Sequence, residues 1–445
     1  MGVLAACALS RGRRCHLGRR GSRIVALASL PEVTLARATS FVTALVAAIG
    51  LTACGTFAPE PHAGAPFHRR TESKDDGDFR VTIAALSREE TVRFLGLDLE
   101  EKGVQPVWVE IENRTDRPAW YLPIGTDPAY FAPNEVAYMF HRWWAGDRSQ
   151  RIADHLLTTS IPLEVPARGA VRGFVYTHAG QGAPFVRVEV LDDHKLREFR
   201  FVASYPGGKW DFQRIDFDAL YPPSAVRDLD LPGFLAELDK LPCCAADARG
   251  RPDADPLNVV LVGSGAELAF PLVQRGWNLT EPVHPGSAWR SVKAFLLGTP
   301  YLTSPVSPLH LFGRPQDAAL QKPRNDIDQR NHLRIWLAPF TLHGKSVWVG
   351  QVSRDIGVRF TTRSWYLTTH KIDPDVDEDR DYLLQDLTLT GFVDRIGLLP
   401  GVGEAPRTAP RHNLTGDPYF TDGKRLVMVL DAEPRPMDRV EVIVR

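Results

Sequence analysis

The sequence lacks a long hydrophobic run. Nowhere in its 445 residues do the roughly 20 consecutive apolar positions of a membrane-spanning helix occur, so no helical span is expected. It also lacks net charge: 53 lysines and arginines stand against 54 aspartates and glutamates, a formal −1. No global field draws such a chain to nucleic acid, and no nucleic-acid partner is expected. There is no internal repeat. The signatures of the commoner metal and cofactor sites are missing too. No His-Glu-x-x-His occurs, and Gly263-Ser264-Gly265 continues into neither a dinucleotide fingerprint nor a P-loop lysine, nor is it the G-x-S-x-G elbow of a hydrolase. No metal and no cofactor is expected. What the chain does have is an ordinary globular balance, 44% apolar and 24% charged, which excludes a mainly disordered or fibrous protein. Glycine and proline, 35 of each, exceed average usage and point to many turns, hence a strand-rich fold. The length suits two or three domains.

Charge is unevenly placed. The first 53 residues carry seven arginines and one acid, Glu32, so the remainder has 46 basic and 53 acidic residues, a net −7. The basic stretch runs into Phe41-Val-Thr-Ala-Leu-Val-Ala-Ala-Ile-Gly-Leu51, too short to span but suited to a signal-peptide core. Leu51-Thr52-Ala53-Cys54 closes it and resembles the lipobox of bacterial lipoproteins. The resemblance implies cleavage before Cys54, acylation of its thiol, and a chain held at a membrane by lipid; two or three acyl chains anchor stably where one does not. Gly55 is not the aspartate that often retains lipoproteins in the inner membrane, which by analogy favours the outer membrane, facing the periplasm. The lead before the apolar core is long, and a start codon placed too far upstream accounts for it. With Cys7 and Cys15 in the leader and Cys54 acylated, Cys243 and Cys244 remain. In an oxidising periplasm they either form a vicinal disulfide or stay as small buried apolar residues.

Residues 54–77 are rich in Pro, Gly, His and charge without apolar period and read as a lipid anchor and tether. Over 78–228, short alternating runs follow one another: Phe79–Ile83, Val107–Ile111, Ala119–Leu122, Leu163–Val165, Val171–Tyr176, Phe185–Val190 and Phe199–Val202, with a turn at Asn113-Arg-Thr-Asp116. They predict an immunoglobulin-like β-sandwich. Pro133 to Leu157 is expected to be a helical insertion, with Val136, Phe140, Trp143 and Trp144 on its apolar face; the two tryptophans suit core packing better than a ligand contact. A linker, 229–254, contains a short helix from Leu231 to Leu241 and the Cys243-Cys244 loop. The second domain, 255–445, opens with Leu257-Asn-Val-Val-Leu-Val262, a strand pattern buried on both faces. Ser264 and Glu267 have capping-box spacing for a following helix that Pro271 should kink, and a second helix carries Trp289, Val292, Phe295 and Leu296. Strands are expected at Leu309–Phe312, His332–Trp336, Ser346–Gly350 and Leu426–Leu430, and a helix from Asp373-Pro374. The fold class is therefore α+β, a sandwich followed by a mixed α/β domain.

Several motifs in order carry a family resemblance: Pro256-Leu-Asn-Val-Val-Leu-Val-Gly263, Gly276-Trp277, Pro305-Val-Ser-Pro-Leu-His-Leu-Phe-Gly-Arg-Pro-Gln-Asp317, Arg330-Asn-His-Leu-Arg-Ile-Trp336, Val347-Trp-Val-Gly350 and Thr369-His-Lys-Ile-Asp-Pro-Asp-Val-Asp377. Over roughly Asp255 to Gly391 the chain resembles the LssY C-terminal domain family. In some members this domain follows a membrane-embedded phosphatase-like module; no such module or its helices are seen in this sequence, and phosphatase activity belongs to that part. The resemblance implies an identity without a mechanism.

The motif residues include His310, His332, His343 and His370, with Asp326, Asp328, Asp355 and Asp373. Imidazoles and carboxylates do acid/base work if they converge, and His332, His370 and Asp355 are the catalytic candidates. His332 and Arg334, two apart on a strand, share a face that Arg330 joins; with Arg314 they are the candidate anion clamp, since guanidinium matches phosphate or carboxylate geometry. The alternative is that these groups pair inside the fold, Arg330 or Arg334 with Asp355. The alternating acids Asp373, Asp375, Asp377 and Asp379 do not make a calcium loop, because Glu378 stands where glycine is needed and Leu384 where glutamate is; helix-dipole compensation explains them. The expected function is a cell-envelope lipoprotein that acts as a binding or assembly component, with the membrane and an envelope protein as partners. The competing expectation is an envelope hydrolase for a phosphorylated or other anionic substrate, with His332 or His370 as acid/base and Arg330 or Arg334 holding the anion.

Overall fold

The computed structural model describes residues 57–142, 146–178, 184–203, 205, 215–252, 254–280, 306–323, 330–360 and 368–444, the side chains of 358–360 and 368–370 excepted. The leader with Cys54, the pair Trp143 and Trp144, the helix expected at Trp289 to Leu296, Asp326, Asp328 and the side chain of His370 lie outside the described residues.

The first region contains, in chain order, β1 (Glu72–Asp75), β2 (Phe79–Ala85), α1 (Arg88–Leu95), β3 (Val104–Asn113), β4 (Ala119–Tyr121), α2 (Pro123–Thr126), α3 (Pro133–Met139), α4 (Arg148–Thr159), β5 (Glu164–Val165), β6 (Ala170–His178), β7 (Phe185–Asp192) and β8 (Lys195–Val202). The strands form two antiparallel sheets, ordered β1-β2-β3-β6 and β5-β4-β7-β8. Period-two alternation turns Phe79, Val81, Ile83, Val107, Val109 and Ile111 inward to meet Val186, Val188 and Val190 of the other sheet in one apolar cluster. The other face of the first sheet is covered as well. Ala84, Trp108, Phe174 and Tyr176 pack with Phe94 of α1, Val136 of α3, and Ile152 and Leu156 of α4, so the expected helical insertion supplies two helices of this outer layer. Residues 57–70, tether-like in composition, belong to the same layer: Phe57, Ala65 and Phe67 are buried in it. Two glycines make the layer fit. Gly96 ends α1 at φ +70°, and a Cβ there would sit 2.7 Å from the Phe57 ring; a Cβ on Gly173 would meet the Ile161 backbone nitrogen at 2.5 Å.

The rest comprises β9 (Arg227–Leu229), α5 (Leu231–Leu238), β10 (Val259–Val262), α6 (Gly265–Gln274), β11 (Asn278–Leu279), β12 (His310–Leu311), β13 (Arg314–Pro315), β14 (Ala318–Pro323), β15 (Arg330–Leu342), β16 (Lys345–Phe360), β17 (Thr368–Ile372), α7 (Val376–Thr388), β18 (Val393–Pro400), β19 (Arg411–His412), β20 (Pro418–Tyr419), β21 (Lys424–Leu430) and β22 (Glu441–Val442). Ten of these strands make one mixed sheet, ordered β11-β14-β15-β16-β10-β21-β18-β22, with β17 on β16 and β9 on β15. Strand β10 is buried on both faces, Val259 and Leu261 in one apolar cluster and Val260 and Val262 in the other. The Ser264–Glu267 capping box starts α6, which runs through Pro271 to Gln274. Two expectations shift. Residues 227–238, partly read as linker, add β9 and α5 to this domain: β9 pairs in parallel with β15, and Phe234 and Leu238 are buried. Helix α7 starts at Val376, not at Pro374, because Asp373 accepts from the Asp375 backbone N–H (3.0 Å) while its own N–H donates to Arg354 O (2.8 Å), which holds it in the strand ladder. The fold is α+β.

Candidate functional site

The long hairpin β15–β16 turns at His343-Gly344, both at positive φ (48° and 76°), and its register sets everything at its open end. His332 lies opposite Ser353 on β16 and Gln321 on β14, while Arg334 lies opposite Gln351 and Ala319. Alternation then puts Gln321, Arg330, His332, Arg334, Gln351, Ser353 and Asp355 on one face of three neighbouring strands. All seven are buried. His332 Nε2 is 2.6 Å from Asp355 Oδ2, and Arg330 Nε is 3.7 Å from the same oxygen. Arg330 Nη1 donates to Gln321 Oε1 (2.8 Å), Arg334 Nη1 to Gln351 Oε1 (2.7 Å), and Arg334 Nε to the Ser307 carbonyl (3.2 Å). Further along the same face the residues become apolar, Trp336, Ala338 and Phe340 on β15 and Val347 and Val349 on β16, so the polar group closes one end of a dry core.

Burial dominates the electrostatics. It brings the His332 imidazole down to about 4; Asp355 opposes this, and Arg330 and Arg334 reinforce it. A neutral His332 facing a carboxylate, which can only accept, carries its proton on Nε2 and leaves Nδ1 as an acceptor. Among the described residues neither His332 Nδ1 nor Gln351 Nε2 has a hydrogen-bond partner. Burial likewise lowers the Arg334 guanidinium, with Asp255 and Asp355 pulling the other way. It raises the Asp255 carboxyl against the attraction of Arg334 and a 2.9 Å hydrogen bond from Asn413 Nδ2. The chemistry available is thus a carboxylate-oriented neutral imidazole between two guanidinium groups, closed off from bulk water.

The other candidates are elsewhere. Arg314 is committed to Asp317, with both nitrogen–oxygen pairs at 2.8 Å, and also donates to the Leu337 carbonyl (2.7 Å) and Tyr221 Oη (2.6 Å). His343 is a hairpin-turn residue, and His310 pairs through its backbone with Ala246. His370 lies on β17, beside β16 in register with Val358. Cys243 and Cys244 are joined as a vicinal disulfide, and Cys244 Sγ lies 3.6 Å from Tyr419 Oη. On the opposite face of the sheet Arg354 forms a separate buried group: its Nε is 2.9 Å from Asp379 Oδ1 but donates to Asn331 Oδ1 (3.3 Å), and its Nη1 donates to Glu378 (3.2 Å). Burial raises the Asp379 carboxyl to about 7, against the attraction of Arg354 and with help from Asp373 and Glu378.

Gln321, Gln351, Ser353, Asp255 and Asn413 complete the polar group and were not singled out by the sequence. The signal for two of them was there: Gln351, Ser353 and Asp355 are polar at period two directly after the apolar Val347-Trp-Val-Gly350. Among the described residues no three His, Cys, Asp or Glu side chains are placed to hold a metal ion, and no helix is long and apolar enough to cross a membrane. A groove of about 590 Å³ lies away from the polar group, lined by Leu384, Ile396, Leu398, Leu426, Val442 and Val444. No curated protein matches the chain. A family match begins at the end of α5 and reaches the first residue of β21, further on both sides than the sequence motifs. Residues 238–424, with the polar group inside them, match the family described as LssY C-terminus.

Proposed function

We propose that the protein is a lipid-anchored component of a bacterial cell envelope, on the periplasmic side of the outer membrane, in which the LssY domain works as a binding or assembly module. Anchoring draws on Leu51-Thr52-Ala53-Cys54 behind a signal-like apolar core. The immunoglobulin-like reading of the sandwich draws on strand distribution: β2, β3 and β6 share one sheet and β5, β4, β7 and β8 the other. One observation carries binding over catalysis. The groups able to do chemistry are engaged with one another, His332 with Asp355, Arg330 with Gln321, Arg334 with Gln351, and His332 is only 5% exposed. A hydrolase needs its base within hydrogen-bond reach of substrate.

A second reading, a hydrolase for an anionic envelope substrate, draws on Nδ1 of His332, which has no hydrogen-bond partner among the described residues and lies between Arg330 and Arg334. The two readings separate when the lipidated protein is offered phosphomonoester, phosphodiester and carboxylester substrates. Binding predicts no turnover that depends on His332; turnover abolished in His332→Gln supports the hydrolase.

A further inference from the structure

The polar group and the amino-terminal end of the described chain lie on opposite sides of the sandwich. Residues 57–70 pack with α1, α3 and α4 on the outer face of the β1-β2-β3-β6 sheet. The other sheet meets the LssY side of the molecule: Phe185 of β7 packs edge-on against Phe270 of α6 at 5.4 Å, Arg200 of β8 lies over the Phe392 ring at 4.8 Å, and its Nη2 is 3.5 Å from Glu433. The order is therefore helical layer, sheet, sheet, LssY domain.

Phe57 is firmly held in the helical layer. Its carbonyl accepts from Arg151 Nη2 of α4 (2.6 Å), its ring meets His155 edge-on at 5.6 Å, and three residues on, Glu60 N donates to the Arg93 carbonyl (2.9 Å) while its carboxylate pairs with the Arg93 side chain (2.7 Å). Cys54 is only three residues upstream. Whatever path residues 55 and 56 take, three residue steps reach at most about 11 Å. A lipid on Cys54 is then on a short leash, not the long tether that the composition of 54–77 implies.

We propose that the helical layer is the membrane-apposed surface of the lipidated protein, seated on the lipid headgroups, and that the sandwich is a spacer holding the LssY domain off the bilayer. The surface chemistry suits an interface: α1, α3 and α4 each expose a large apolar side chain, Val92, Tyr138 and Leu157. The net −7 of the mature sequence would by itself repel an anionic bilayer, so contact depends on the lipid, and the proposal rests on the acylation reading.

The test uses full-length lipidated protein in phosphatidylethanolamine–phosphatidylglycerol vesicles, with photoreactive benzoylphenylalanine placed at Leu157 or at Leu398 on β18. Both positions are exposed. Peptide mass spectrometry reads lipid adducts, and intact mass reads the acyl group on Cys54. Tyr138 and Val442 form a second pair of exposed positions. The expected result is at least tenfold more lipid adduct at Leu157 and Tyr138 than at Leu398 and Val442. Equal yields, or more at the LssY positions, with Cys54 acylated overturn the proposal and leave the anchor standing. No acyl mass on Cys54 overturns both.

Discussion

The sandwich and the LssY domain share one apolar cluster, but they bury different things. Among the described residues, five arginines are buried, Arg330, Arg334, Arg354, Arg380 and Arg425, and none of them lies in the sandwich. The sandwich buries apolar residues in two layers and ties its buried amides to backbone carbonyls, Gln105 donating to those of Leu86 and Pro106 and Asn113 to those of Arg117 and Val165. Apolar burial gives stability roughly in proportion to area and needs no partner of particular chemistry. Burying guanidinium groups costs desolvation and stabilises only when every donor is matched. The sandwich is thus held chiefly by apolar area, and the LssY domain in addition by matched buried guanidinium groups.

The contrast can be broken most forcefully at Arg425. Its guanidinium, 1% exposed, donates to the carbonyls of Leu257, Leu238, Pro242 and Gly401 at 2.7 to 3.2 Å. Arg425→Met leaves four acceptors without a donor and should cost at least about 4 kcal/mol in chemical denaturation. Phe67→Ala is the sandwich counterpart. A fully buried ring is removed and no hydrogen bond is lost, so a cost of about 3–4 kcal/mol is expected.

Two substitutions in the LssY domain sharpen the contrast through pH. His332 titrates near 4 in the folded chain instead of 6.5, so the unfolded chain takes up the proton first and stability falls as pH drops from about 6.5 to 4. Asp379 is displaced the other way, from 3.8 to about 7. Here the folded chain keeps a proton that the unfolded chain has released, and stability falls as pH rises from about 4 to 7. His332→Gln should flatten the first slope and Asp379→Asn the second, by at most about 3 and about 4 kcal/mol respectively over their windows; denaturation midpoints against pH read both. The smallest effect belongs to an exposed sandwich pair. Arg168 and Asp116, 2.8 Å apart and largely solvated, should tolerate Arg168→Ala with no measurable shift in midpoint.

The same contrast explains what could be read from the sequence. Strands of the sandwich were legible because alternation alone places them, and β10 because a continuous apolar run has to be buried on both faces. The common face of Arg330, His332 and Arg334 was legible from period two. Its enclosure was not, since Asp255 and Asn413 come from loops nearly 160 positions apart and meet only in the folded chain. The role of Arg314 was equally hidden: its fork fits a phosphate as well as it fits Asp317, three residues away. Residues 57–70 misled for a different reason. Proline, glycine and charge imitate a linker, while Phe57 and Phe67 are sparse anchors whose partners lie on helices much further along the chain.

If the LssY domain engages an envelope partner, crosslinking with mass spectrometry on the lipidated protein in its native envelope should give crosslinks from residues 238–424 to one or a few envelope proteins, reduced when the polar group is altered by Arg334→Gln. Crosslinks confined to the chain itself, together with substrate turnover that is lost in His332→Gln, would contradict it.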